Sequence, residues 1–131
     1  MSFPVALRLT ALVAVLVGLT HVVFGLGADV MLGAHIPPAT LADPVLDSQN
    51  RFYGVTFAGY GALLWLAAAD IWRHATLIRV LAAFVFLGGV ARLWAIHLRG
   101  WPGPHVIALT VIELVFVPLL LWWHKRALLT P

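Results

Sequence analysis

The chain has no cysteine, which excludes disulfides, thiolate metal sites and dithiol redox centres. It is nearly as poor in charge. Asp and Glu number 5 and Lys and Arg 8 among 131 residues, 10% in all, where an ordinary soluble domain carries about 25%. That leaves too little polar surface to cover a water-facing globule. The H-E-x-x-H pair of a zinc hydrolase, the P-loop and the Rossmann glycine pattern are absent as well. No metal and no cofactor is therefore expected. Haem ligation by His21 with His97 or His105 is geometrically conceivable, but no attachment motif accompanies these residues. The net charge of +3 and pI near 10.2 do not point to nucleic acid, because the basic residues are scattered at helix ends rather than striped along one face.

What is present is apolar: 63% of residues are hydrophobic and the mean hydropathy is +1.01. A bilayer is the better solvent for such a chain. Four runs approach the ~20 apolar residues that a membrane crossing needs: residues 3–26, 51–69, 75–98 and 105–123. The expected fold is all-α, a single domain of four transmembrane helices spanning residues 1–131, with helices near 3–26, 44–70, 75–98 and 105–124. The first run is longer than the ~7–15 residues of a signal-peptide core and lacks a clear A-x-A site, so it reads as a retained helix.

Local punctuation fits these bounds. Asp43-Pro44 reads as an N-cap with proline at the first helical position. "DIWRHA" (70–75) and "RGWPGPH" (99–105) read as tight connections. Residues 27–43 form the longest link, of a length associated with lids, binding loops or short interfacial helices. Arg8, Arg73, Arg79, Lys125 and Arg126 fall on one side of this topology, with Arg99 opposite and Arg51 at the interface. The positive-inside rule then puts both termini in the cytoplasm and the 27–43 loop outside. His74 and His124 lie beside cytoplasmic basic residues and are expected to be solvated, while His97 and His105 flank the third connection at the interface.

With that topology, His21, Asn50, Arg51, Arg92 and Glu113 all fall in the outer half of the bundle. Charges at such depth face the interior and pair. Arg92 and Glu113, each about two turns inside its helix end, are the expected partners. Asp47 precedes Arg51 by four residues, the favoured acid-then-base order on a helix. Asn50, Gly54, Ala58 and Ala62 form a small-residue stripe, Gly18 and Gly25 flank His21, and Gly88 and Gly89 precede Arg92. Such residues let membrane helices approach closely. Pro118, just beyond Glu113, is expected to disturb its helix.

The run from residue 46 to 126 resembles the bacterial membrane proteins grouped as domain of unknown function 4345. The resemblance rests on "NRFYG" (50–54), "FLGGVARL" (86–93) and "IELVFVPLLLWW" (112–123), and it extends over roughly residues 5–126. It implies a four-helix membrane fold in a bacterial inner membrane. It gives weight to Asn50, Arg51, Gly88, Gly89, Arg92 and Glu113, and it implies no particular reaction.

Two functions follow as expectations. In one, the bundle holds a small lipophilic molecule in an outer-half pocket beneath the 27–43 loop. Arg92, Arg51, Asn50 and Tyr53 contact it, and Glu113 and His21 serve as acid and base if a reaction occurs. In the other, the chain is an accessory subunit or assembly factor of a larger membrane complex, with the small-residue stripe and tryptophans as contact surfaces. The lipid bilayer is the expected partner in both, with a second copy of the chain or a larger complex as the protein partner.

Overall fold

The computed structural model describes residues 2–129, which contain helices and no strand. Helix α1 is Phe3–Phe24, α2 Gly27–Met31, α3 Pro38–Leu41, α4 Pro44–Ala67 and α5 Ala75–Arg99. The last, α6, runs Pro104–Ala127 and contains one π-helical turn, Ile112–Phe116.

Three of these helices, α1, α5 and α6, are long and apolar enough to cross a membrane, with mean hydropathies of 2.0, 1.8 and 2.3. Four such helices were expected, and α4 is the one that falls short. That helix has the length, 24 residues, but not the hydropathy. Asp47, Gln49, Asn50 and Arg51 occupy its first turns, and Tyr53, Tyr60 and three glycines dilute the rest. Most large side chains of the three apolar helices point outward, Leu16, Leu87 and Leu119 among them. Lipid tails are as apolar as leucine, so this exposure carries no penalty in a bilayer.

The described chain divides into two compact units, one of residues Val5–Leu66, the other of Ala67 onward together with the N-terminal residues. In the first unit, the buried positions of α1 after Leu7 are small. Leu7, Ala11, Ala14 and Gly18 are buried, and half-buried His21 and buried Gly25 continue the series. Steps of four and three alternate along this list. A period of 3.5 residues is the seam of a left-handed helix pair.

α4 meets that seam antiparallel, backbone against backbone. A methyl group on Gly54 would lie 2.7 Å from the Gly18 carbonyl oxygen and 2.8 Å from the Val22 nitrogen. One on Gly61 would lie 2.7 Å from the Ala11 carbonyl oxygen and 2.8 Å from the Val15 nitrogen. Gly18 in turn sits against Ala58. The expected stripe holds at Gly54 and Ala58 and departs at Ala62, which is exposed. Gly61 replaces it because the seam returns every seven residues, not every eight. At the start of α4, Asp43 Oδ1 accepts from Val45 N at 2.8 Å and Leu46 N at 3.2 Å, the cap expected from sequence.

In the second unit, α5 buries Ile78, Leu81, Ala82 and Gly89, and α6 buries Thr110, Val117, Leu120 and His124. Asp70 caps the turn before α5 through Trp72 N at 3.1 Å and Arg73 N at 2.9 Å. His124 corrects an expectation, being 1% exposed where it was expected to be solvated. Its ring stacks on Phe3 at 5.1 Å, and Nε2 lies 3.4 Å from the Ile71 carbonyl oxygen. Lys125 and Arg126 are exposed beside it. The histidine lies on the buried stripe of the helix, seven residues after Val117, and so packs while its neighbours do not.

Candidate functional site

The polar residues singled out in the sequence form two hydrogen-bonded groups, one within each unit. The first gathers at the C-terminal end of α1. The last carbonyls of a helix have no intrahelical donor, and Arg51 supplies one. One of its η nitrogens donates to the carbonyls of Val22 at 2.8 Å and Val23 at 2.9 Å. Its Nε donates to Asp47 Oδ2 at 2.7 Å, and Asp47 Oδ1 accepts from Leu26 N at 3.2 Å. This carboxylate fits because Gly25 has no side chain and takes φ +54°, the left-handed conformation in which helices commonly end. A methyl group at Gly25 would collide with Asp47 Oδ1. The Arg51 hydrogen bond, foremost, and the Leu26 amide hold the Asp47 carboxyl below its ordinary value of 3.8.

Beside this clamp lies Asp29, on α2. Its Oδ2 accepts from Asn50 Nδ2 at 2.7 Å, and its Oδ1 lies 3.3 Å from His21 Nε2. His21 Nδ1 is 2.8 Å from the Val17 carbonyl oxygen. Both ring nitrogens therefore face acceptors, and neither lone pair is presented to a substrate or a haem iron. This geometry argues against His21 as a general base. What the group leaves over is Asn50 Oδ1, a buried acceptor with no hydrogen-bond partner among the described residues. A water or a ligand hydroxyl would satisfy it. Tyr53 stands apart from the group, 61% exposed with its ring against Phe52.

The second group joins α5 to α6. Arg92 Nε donates to both carboxylate oxygens of Glu113, at 2.9 Å to Oε2 and 3.2 Å to Oε1. Gly89, one turn before Arg92, makes the approach possible, since a methyl there would lie 3.0 Å from Glu113 Cβ. Gly88 has open space beside it and plays no such part. Glu113 lies in the π-helical turn, and Pro118 follows, with no N–H for the carbonyl of Leu114. The widened turn falls where that hydrogen bond is missing, and single π-turns within α-helices often mark functional positions.

The two arginines are used differently. Arg51 spends Nε and an η nitrogen on protein acceptors. Arg92 spends Nε alone, and among the described residues its η nitrogens make no hydrogen bond. The Arg92 side chain is 41% exposed, that of Glu113 19%. The arrangement presents a guanidinium edge with unfilled donors next to a shielded carboxylate.

Asp29 is the member of these groups that sequence reasoning missed. It stands outside the apolar runs, and its folding back onto His21 and Asn50 depends on the path of the 27–43 loop. The available signal was scarcity, since a chain with five acidic residues has few to spare for solvent.

Three membrane-length apolar helices, polar residues tied to one another and apolar side chains facing out define a helical membrane protein. More particularly, the family model described as "Domain of unknown function (DUF4345)" matches residues 2–124, nearly the whole chain, and the protein belongs to that family. No curated protein and no solved structure matches the chain.

Proposed function

We propose that the protein sits in a bacterial cytoplasmic membrane with four crossings and both termini in the cytoplasm, and that it binds or converts a small lipophilic molecule at Arg92 and Glu113. Support for α4 as the fourth crossing comes from its backbone contact with α1. A helix in contact along residues 11–22 of a membrane-length neighbour runs through the same depth of the bilayer. Its polar first turns then stand in the interface, tied to the end of α1 by Arg51. Four crossings return the chain to its starting side, and the distribution of Lys and Arg favours the cytoplasm for that side.

The observation that carries the binding role is the unspent edge of Arg92. Guanidinium N–H groups without acceptors are costly in hydrocarbon. An acceptor oxygen on an otherwise apolar molecule, such as a carbonyl or carboxylate, would fill them. The chemistry open to the pair is proton transfer at Glu113, with Arg92 opposing the charge that develops. Isomerisation and hydration are reactions of that kind. The site of this proposal is narrower than the sequence expectation. Arg51 and His21 are committed to the end of α1, and Asn50 contributes only its open Oδ1.

The test is mass spectrometry of lipophilic molecules that co-purify in mild detergent with wild type, Glu113→Gln and Arg92→Ala. A species present in wild type and depleted in both variants supports the site. The same species at equal occupancy in all three refutes it. The alternative role, as a subunit docking on a larger complex, loses one of its supports. Gly54, Ala58 and Gly61 are already engaged by α1 and present no docking stripe. Recovery of a stoichiometric protein partner from native membranes would restore that reading.

A further inference from the structure

The unit built from α5 and α6 carries a second place that the Arg92–Glu113 reading does not use. Arg79 is the fifth residue of α5, and Lys125 is the third from the end of α6. The antiparallel pairing that joins Arg92 to Glu113 brings these ends together as well. Arg79, Leu121, His124 and Lys125 line one concavity of about 340 Å³. Both cations are exposed, and among the described residues neither forms an ion pair with an acid. His124 is held by Phe3 and the Ile71 carbonyl and serves as a fixed wall. On the opposite side of α6, Phe116, Leu119, Leu120, Trp122 and Trp123 line a separate apolar groove of about 280 Å³.

Two like charges on one concavity repel unless an anion is shared between them. Their position, one turn from the helix ends, is the depth at which lipid phosphates lie. We propose that Arg79 and Lys125 bind the headgroup phosphate of an anionic phospholipid. Basic recesses between membrane helices on the cytoplasmic side take headgroups in this way. Topological signalling and interaction with the C-terminal helix dipole would also place cations here, but neither confers preference among lipids.

The experiment is native mass spectrometry of the full chain in detergent doped with phosphatidylglycerol or phosphatidylcholine, with sodium phosphate as a third arm. Wild type is expected to retain one phosphatidylglycerol in preference to phosphatidylcholine. Arg79→Gln with Lys125→Gln should weaken that retention about twenty-five-fold, at about fivefold for each cation. The exchange Arg79→Lys with Lys125→Arg should keep it, which separates charge from folding damage. Arg99→Gln, at the other end of α5, should leave it unchanged. Equal retention of the two lipids, or unaltered selectivity in the double glutamine variant, overturns the proposal. So does inorganic phosphate displacing the lipid completely, which would mark a free-phosphate site. Because Arg92 and Glu113 are untouched, this result stands or falls separately from theirs.

Discussion

Glycine-to-alanine substitutions within one helix separate the role of the α1–α4 seam from general helix chemistry. An added methyl at Gly54 would meet the Gly18 carbonyl oxygen at 2.7 Å, the Val22 nitrogen at 2.8 Å and His21 Cβ at 2.9 Å. Two of the three are backbone atoms, which cannot rotate away. Ordinary contact requires the helices to part by roughly 0.7 Å, forfeiting dispersion along the seam. Overpacking of this kind costs about 1–3 kcal/mol, against about 0.5–1 kcal/mol gained from the better helix propensity of alanine. Gly54→Ala should therefore lose up to about 2.5 kcal/mol net. Gly59, on the same helix, has nothing within 4 Å of its added methyl, so Gly59→Ala keeps only the propensity gain. The measurement is unfolding of detergent-solubilised protein by SDS or heat, followed by helical circular dichroism. Gly61→Ala should behave like Gly54→Ala. If Gly54→Ala and Gly59→Ala are equally stable, the helices do not meet backbone to backbone and the seam is wrong.

Three further perturbations address the polar groups. Arg92→Leu strands the Glu113 carboxylate and should cost about 1–3 kcal/mol, short of the about 3–5 of a fully buried pair because both side chains retain exposure. Glu113→Gln should cost less, and Arg92→Leu with Glu113→Leu should recover much of the loss in the same unfolding assay; additive losses would show that the side chains act independently. Arg51→Lys should lower stability by about 1–2 kcal/mol, since one ammonium cannot reproduce the fork spanning Asp47 and two carbonyls, and unchanged melting would refute the capping role. Finally, the folded-state pKa of Asp47 lies below its ordinary value of 3.8, so its stabilisation is present above that value and is lost as pH falls through the folded one. Melting temperatures should converge for wild type and Asp47→Asn as pH falls through the folded value, while a gap that persists unchanged on further acidification contradicts this.

The helix ends were legible because the sequence marks them chemically. Asp43-Pro44 caps α4 as read, and the two short connections fall where the polar runs stand. The pairing of Arg92 with Glu113 also follows from sequence, since consecutive antiparallel helices put residues at matching distances from their shared turn side by side. The packing faces were harder. Hydropathy has no period in helices that are apolar all round, so the seam of α1 is written in side-chain size instead: Ala11, Ala14, Gly18 and Gly25. The same signal predicted Gly54 and Ala58 and missed Gly61, because a strict four-residue stripe rotates away from a seam of period 3.5. His124 failed for a related reason: adjacent lysine and arginine describe the composition of a turn, whereas burial depends on which face each position occupies.

The two arginines show why residue type alone does not separate a structural role from the proposed binding role. Each follows or faces an acid, and each lies in a segment shared with the family. Only the hydrogen-bond ledger separates them. Arg51 closes the end of α1, and its donors are aimed at carbonyls that would otherwise be bare. Arg92 is held by one nitrogen, which orients its outer edge without satisfying it. A lysine at position 92 keeps the charge opposite Glu113 but removes that edge. Arg92→Lys should therefore fold and melt close to wild type while losing any co-purified ligand, whereas Arg51→Lys should melt early and retain ligand in whatever fraction stays folded. If Arg92→Lys loses stability as Arg51→Lys does and keeps its ligand, both arginines are structural and the site must be sought elsewhere in the chain.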